Sequence, residues 1–430
     1  MKITYITHAC LLIEINNIKI LTDPWLTGPS WGGLLWHNPV HNYNPSNLPK
    51  PDIIYFSHGH EDHFHHETIT NFPKKWFDAI VLAPNFNVSW WEDEIKKKFK
   101  NYLFLSHNET FCYNKNLELQ MFLNNSGQFD SSIKVKNNKR CIFLQTDNLM
   151  DEQEARRISK IDNIDVAFVI PFLTGVFPGF YDWNSDVLKK LSEQKIEKSL
   201  NYCAKIVRAL KPKYAIPYAC DVGYLGNNFY MNLVHRNDKT KIVNKLKKKK
   251  IKTKPIILNS GDWINLFKKK VNIKNENTNN DDYYQSLIKF SNTNLDEYKR
   301  YQVKENLPTQ PNFKNLIRIF INNLKRNIKN LKKFNFETLI IIEDLDKDGQ
   351  ILINFKNKII KNIKNNNDNL KPDLKITIES KKIRNLLLRK YPMNFLTFHN
   401  GGYRCKRKVL NLTNNEKKFW SWINSLDFFI

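Results

Sequence analysis

Between residue 1 and about residue 265, short apolar runs alternate with turn signals and helical stretches. "KITYI", "CLLIEI", "IKILTD", "DIIYFS", "AIVLAP", "YLFLS", "LQMFL", "CIFLQTD", "DVAFVIP", "YAIPYA" and "KPIILNS" are β-branched or aromatic, and short enough to read as strands. Helical spacing of apolar positions falls near 89–99, 151–160, 184–210 and 236–250. Strands interleaved with helices in this way predict a layered α/β domain. The first runs stand too close together for crossover helices, so they pair as hairpins, with the Asn-rich "INNIK" supplying a turn.

The polar stretch "KVNIKNENTNNDD", 270–282, has the composition of a linker and sets the expected domains at 1–269 and 283–430. In the second region, helical patterns near 284–299 and 313–333 precede the alternating runs "ETLIIIED", "QILINFK" and "DLKITIES". A helix around 380–390 and the aromatic terminal helix "EKKFWSWINSLDFF" complete a smaller α+β domain.

Composition narrows the class. The 430 residues carry 41% hydrophobic and 13% aromatic side chains, enough for substantial buried cores. No apolar run approaches the roughly 18 residues of a membrane helix. The N-terminus lacks a signal-peptide cleavage pattern, so a cytoplasmic protein with no membrane span is expected. Six cysteines (Cys10, Cys112, Cys141, Cys203, Cys220, Cys405) form no C-x-x-C pair, which suits reduced structural thiols and excludes zinc-finger and iron–sulfur frameworks.

The net charge of +26 would suit a polyanion. Lys, Asn and Ile are enriched everywhere, however, down to patches such as "NIKNNND", which points to a solvated composition bias before a nucleic-acid surface. A small anionic substrate, steered by the positive charge, is the stronger expectation.

One stretch concentrates candidate chemistry. "IIYFSHGHEDHFHHET" (Ile53–Thr68) holds five of the chain's 11 histidines directly after a strand-like run. His58, His60, Asp62 and His63 follow the order H-x-H-x-D-H, which on a strand-end loop turns alternate side chains toward a common centre. Gly59 lets the backbone bend between two of them. Imidazole with carboxylate suits Zn, Fe or Mn, and two ions about 3.5–4 Å apart could share such a set. A loop of solvated histidines is the bland alternative, and the order of six consecutive positions argues against it. His65 and His66 are expected to open the following helix.

H-x-H-x-D-H after a strand resembles the metallo-β-lactamase superfamily. "THACLLIEINNIKILTDPWL" is similar to the opening of its lactonase-like and N-acylphosphatidylethanolamine phospholipase-like branch. "LTDPWLTGPSWGGLLWHNP" and "KSLNYCAKIVRALKPKYAIPYA" resemble the CMP-N-acetylneuraminate hydroxylase family. The resemblance spans most of 1–265 and weakens through 283–410. It implies an αββα sandwich carrying one or two divalent metal ions, zinc or iron.

By this resemblance His58 and His60 bind the first ion, Asp62 and His63 the second, and Asp147 in "CIFLQTDN" bridges them. Asp62 or Asp147 also orients the attacking water, and His8 and Asp23 lie beside the metal loop. Two family ligands do not transfer. The third histidine's place falls in "LNNSGQFDSS" (Leu123–Ser132), where Ser126 or Gln128 stands, and Cys220 and Asp221 take the place of the last. Asp221 is a candidate to replace that ligand or to meet the substrate.

His37 in "LLWHNP" and Tyr181 in the Gly-, Pro- and aromatic-rich "PFLTGVFPGFYDW" are candidates to line a pocket. Trp25, Trp31 and Trp36 read as core anchors before substrate walls. His107 reads as a loop histidine that could swing in, and His235 as a solvated one. Lys247 to Lys250 form a solvated helix end, and Cys220 lacks the adjacent histidine a nucleophile needs.

Three functions are compatible with these residues. The first is a metallohydrolase that cleaves a small anionic ester, lactone or phosphodiester with metal-activated water. The second, implied by the hydroxylase resemblance, is iron-dependent hydroxylation of a CMP-sialic-acid-like nucleotide sugar. Residue 1 opens at the sandwich hairpin and no Rieske Cys/His pairs occur, so this reading calls for a separate redox partner. The third is a binding module or degenerate enzyme with an incomplete metal site.

Overall fold

The computed structural model describes residues 1–86, 89–124, 129–138, 140–172, 175, 177–235, 238–266, 272–274, 283–305, 313–343, 349–363, 370–380, 382–383, 403–407 and 413–424. They form two compact units. The first takes Met1–Ser30, Leu35–Thr174 and Glu193–Leu295; the second takes Trp31–Leu34, Gly175–Ser192 and Asp296–Ile430.

Two large sheets make up the first unit. One orders Asn272–Lys274, Trp263–Asn265, Lys2–Thr7, Cys10–Ile15, Ile18–Thr22, Ile53–Tyr55, Ile80–Pro84 and Asn101–Leu105. Its opening hairpins are antiparallel, as the short spacing requires, and the strands from Ile18–Thr22 onward are parallel. The other orders Lys254–Pro255, Tyr214–Pro217, Val166–Val169, Arg140–Leu144, Ser131–Asn137, Leu117–Leu123 and Thr110–Asn114.

Alternation along each strand assigns its two faces. Ile3, Tyr5, Leu11, Ile13 and Tyr55 of the first sheet pack against Leu119, Met121, Ile133, Val135 and Leu144 of the second. The alternate residues turn outward. Ile6, Leu12, Ile54 and Phe56 lie under Ile69, Trp76, Trp91 and Ile95, whereas Phe143, Ala167 and Val169 lie under Ala155, Ile158, Val207, Ile242 and Leu246. Helices therefore cover both outer faces, and the unit is an αββα sandwich. Coverage on both sides is why its strands read as continuous apolar runs.

Four strands of these two sheets were not legible in the sequence: Thr110–Asn114, Ser131–Asn137, Trp263–Asn265 and Asn272–Lys274, nor was the small pair Trp36–His37 with Val222–Gly223. In Ser131–Asn137 two lysines interrupt the apolar pattern, and the structure explains one of them. Lys134 is buried, with Nζ 2.5 Å from Asp162 Oδ2. Asn272–Lys274 lies inside the segment with linker composition yet pairs with Trp263–Asn265 at the sheet edge.

The second unit carries a five-stranded sheet in the order Ile359–Ile363, Gln350–Asn354, Glu337–Ile342, Leu374–Ile378, Tyr403–Arg407. Helices Phe313–Ile328 and Asn414–Asn424 belong to it as well. The helix expected around 380–390 falls largely outside the described residues. Tyr181 is placed here, buried, with its hydroxyl donating to Glu416 Oε1 at 2.6 Å. The Arg407 guanidinium lies over the rings of Phe177 and Tyr181 and 2.5 Å from the same carboxylate oxygen. These contacts employ Tyr181 in the core of its own unit.

All six cysteines are unpaired, and all but Cys112 are buried. Among the described residues no helix is long and apolar enough to cross a membrane.

Candidate metal centre

The candidate residues of the first unit gather at one end of its strands. His8 follows Lys2–Thr7, Asp23 follows Ile18–Thr22, His58 to His63 follow Ile53–Tyr55, Asp130 precedes Ser131–Asn137, and Asp147 follows Arg140–Leu144. Ligands in α/β sheets collect at this kind of edge, where side chains leave the sheet into loops. The loops turn sharply there: His8, Asp23, Thr146 and Ala219 hold φ angles of 44°, 35°, 51° and 53°, unusual for residues with side chains. The carbonyl of His8 accepts from the Ala219 amide at 2.9 Å, which ties two of these turns together.

Behind the metal loop, Asp23 fixes its rings. Asp23 Oδ1 accepts from the Ser57 amide at 2.7 Å, and Oδ2 accepts from Ser57 Oγ at 2.7 Å and faces His63 Nδ1 at 2.8 Å. Ser57 Oγ in turn lies 2.9 Å from His58 Nδ1. Both imidazoles thus have Nδ1 engaged on the protein side, which orients Nε2 toward the centre. A carboxylate or hydroxyl behind a ring nitrogen is the usual support of a metal-binding histidine.

In front, donor atoms crowd together. His58 Nε2 lies 2.8 Å from His60 Nδ1 and 3.6 Å from Asp130 Oδ1. His63 Nε2 is 3.5 Å from Asp147 Oδ1 and 3.8 Å from Asp62 Oδ2, and His8 Nε2 is 3.3 Å from Asp62 Oδ2. Three overlapping groups have donor atoms within 4.8 Å of one another: His8, Asp62 and His63; His58, His63 and Asp147; and His58, His60 and Asp130.

Charge balance shows what the cluster lacks. Burial disfavours an imidazolium at His63, yet Asp147, Asp23 and Asp62 hold its pKa well above the usual histidine range. Burial likewise opposes charge on Asp62, but His63 and His8 hold that carboxyl well below its ordinary value. Asp130 is pushed well above the carboxylate range by burial and by Asp147. Burial, His63 and His60 keep His58 neutral. A proton on His63 supplies positive charge that the carboxylates attract. Among the described residues, neither ring nitrogen of buried His8, nor His63 Nε2, has a partner in good hydrogen-bond geometry, and both Nε2 atoms face carboxylates at 3.3 and 3.5 Å. Orphaned imidazoles facing carboxylates fit divalent ions.

Asp130 was not legible in the sequence. It sits in the stretch where the third histidine was missing, while Ser126 and Gln128 lie outside the described residues. A lone aspartate before "SSIKVK" carries no pattern, and only the pairing of Ser131–Asn137 aims it inward. His8, expected beside the loop, contributes donor atoms to one of the three groups.

Asp221 joins none of these groups. Its Oδ1 is held by Lys239 Nζ at 2.6 Å. His107 also stays outside, with Nδ1 accepting from the Leu123 amide at 3.1 Å and Nε2 3.6 Å from Glu154. His65 caps the helix His66–Thr70, its Nδ1 accepting from the Thr68 amide at 3.2 Å. His235 is a correction: the structure buries it, stacked on Tyr224 with Nδ1 3.2 Å from Lys195 Nζ. Its charged sequence neighbours hid this. Lys247 to Lys250 are exposed, as a solvated helix end should be.

Residues 2–149 match the family described as the beta-lactamase superfamily domain. The cytidine monophosphate-N-acetylneuraminic acid hydroxylase of Cricetulus griseus is 27% identical over 284 residues, 64% of this chain and 46% of the relative. That of Xenopus laevis is 27% identical over 230 residues, 51% of this chain and 38% of the relative. The chain therefore spans less than half the length of these curated relatives. Among solved structures, a mutant CmlA beta-hydroxylase has a TM-score of 0.44 at 15% identity, covering 62% of this chain and 54% of that one. A metallo hydrolase from Ignicoccus hospitalis has a TM-score of 0.43 at 14% identity, covering 62% of this chain and 99% of that one.

Proposed function

We propose that the first unit is a metal-dependent hydrolase of the metallo-β-lactamase fold, acting on a small anionic substrate such as an ester, lactone or phosphodiester. The supporting observation is the set of three His/Asp groups linked through His58 and His63, each of which belongs to two of them. In this reading His58, His60 and Asp130 hold one divalent ion, His8, Asp62 and His63 hold a second, and Asp147 reaches between them. A bound divalent ion supplies a water of lowered pKa and polarises the oxygen under attack. Asp147, with its side chain 20% exposed against 11% for Asp62, is the carboxylate better placed to meet and orient an incoming water. Asp23 and Ser57 keep the two shared imidazoles aimed. Unpaired thiols suit a reducing compartment, and we assign the protein to the cytoplasm on that ground.

A second reading is favoured by one observation. With Asp130 in place, each of the three groups combines two histidines and one carboxylate, a set that suits iron. With relatives named as hydroxylases, this supports iron-dependent hydroxylation of a nucleotide sugar resembling CMP-sialic acid, with a separate electron donor.

Metal analysis of protein purified without added metal, followed by assays of each metal form, separates the two. Zinc with esterase, lactonase or phosphodiesterase turnover is the expected result. Stoichiometric iron with oxygen consumption selects the second reading. Unchanged metal content in the double variant His58→Ala, His60→Ala would overturn both.

A further inference from the structure

Beside the metal residues lies a second set of polar side chains that the proposed chemistry does not use. His37 pairs in register with Val222, and the Asn38 amide donates to the Asp221 carbonyl at 3.1 Å, so the two segments are tied together. The His41 ring meets that of His37 at 4.3 Å between centroids. Trp25 packs on His37 at 3.8 Å and meets the His8 ring at 5.5 Å. One indole therefore separates this set from a candidate metal ligand.

Three buried atoms here have no hydrogen-bond partner among the described residues: His37 Nε2, His41 Nε2 and Asp221 Oδ2. Asp221 is 3% exposed and gives Oδ1 to Lys239, which leaves Oδ2 as an unanswered acceptor. The Tyr43 amide donates to His41 Nδ1 at 3.2 Å, so the proton of a neutral ring sits on Nε2, an unanswered donor. Burial keeps that ring neutral, lowering its pKa to about 4 although Asp221 pulls the other way. His37 Nδ1 faces Thr7 Oγ1 at 3.2 Å and leaves its own Nε2 open. Buried polar atoms left unmatched are costly, and several at one place imply a ligand that matches them.

We propose that His37, His41 and Asp221 form a hydroxyl-recognising subsite for an uncharged diol portion of the substrate. A hydroxyl both accepts and donates, so it can take the His41 Nε2 proton and give its own to Asp221 Oδ2. A carboxylate answers only the first of these, and a carboxylate or phosphate meets charge repulsion from Asp221. The substrate's anionic group therefore lies elsewhere, toward the metal donors. Among the described residues, these three also fall outside every group compact enough to hold a metal, which argues against a third ion. The inference rests on the proposed function only in taking the ligand to be the substrate of that centre.

The test is binding to the full-length, metal-loaded protein, followed by ligand-observed NMR and by the ring nitrogens of 15N-histidine-labelled chain. The probes are cis-1,2-cyclohexanediol, cyclohexanol and inorganic phosphate. The diol is expected to bind about fivefold or more tightly than the monool, the worth of roughly one net hydrogen bond, and to shift His41 Nε2. His41→Phe and His37→Phe each keep an aromatic ring in the stack with Trp25. Each should lower diol affinity to the monool level with metal content unchanged. Equal binding of diol and monool, diol affinity retained in both folded variants, or a His41 Nε2 shift produced by phosphate instead would overturn the subsite. Diol binding without turnover would leave the subsite standing and remove the hydrolase reading; turnover without diol binding would do the reverse.

Discussion

Asp23 Oδ2 and His63 Nδ1 lie 2.8 Å apart, and neither side chain has any exposed surface. This contact reaches from the second hairpin to the metal loop and leaves His63 Nε2 facing Asp62 and Asp147. It therefore couples the opening strands of the sandwich to the orientation of a shared donor.

Replacing Asp23 with Asn keeps the shape and removes the charge behind His63. Metal affinity is expected to fall about 10–100-fold, read by competition with a chelator. An unchanged affinity would show that His63 needs no such support.

Asp130→Ala should lose about one equivalent of bound metal, measured by elemental analysis, because one donor group then keeps only His58 and His60. Asp130→His should retain both ions and shift preference toward zinc. Full metal content in the alanine variant would remove Asp130 from the centre.

His65→Asn tests whether the histidine cluster divides its labour. The cap it forms on His66–Thr70 predicts a loss of about 1 kcal/mol with metal content intact. Burial lowers the His65 pKa to about 3, against about 6.5 in an unfolded chain. The unfolded state then binds more protons between these values, so wild-type stability falls as pH drops from 6.5 toward 3. Urea titrations should show the gap between wild type and variant narrowing over that window.

Lys195 offers the opposite range. Burial lowers its pKa to about 7 from 10.5, and the unfolded chain holds more protons between the two. Unfolding free energy should therefore rise with pH above 7, contributing up to about 1.4 kcal/mol per pH unit. Lys195→Met removes that slope; an identical slope in the variant would mean the amine is not buried.

In the second unit, Glu416→Ala takes the carboxylate away from the buried Arg407 guanidinium and the Tyr181 hydroxyl. A loss of about 3 kcal/mol or more is expected, visible in thermal unfolding. Tyr181→Phe should cost about 1 kcal/mol.

The parts of this molecule that could be read from sequence were those with a local period or a local order. Strand runs such as "CLLIEI" and the ordered His58-to-His63 loop are both of that kind. Asp147 was placed through its position after a strand, by resemblance. Asp130 was not legible, because its inward aim depends on the pairing of Ser131–Asn137 with strands on both sides. That strand was itself concealed by Lys134, whose burial is made tolerable by a distant partner, Asp162. His235 failed for the same reason: its burial is decided by Tyr224 and Lys195, not by its charged sequence neighbours.

Thr146, just before Asp147, is a β-branched residue held at φ 51°, with its amide donating to Tyr218 at 2.8 Å and its hydroxyl bonded to the Ser131 carbonyl. Such a backbone costs roughly 1–3 kcal/mol. A glycine would adopt the same angle without steric strain, but it would give up the hydroxyl that pins the corner. Laboratory selection for thermostability alone should therefore favour relaxing position 146 and let Asp147 wander, whereas selection for turnover should retain the threonine. The corner is a place where durability and performance are in competition, and a mutant library sorted separately for each would divide there.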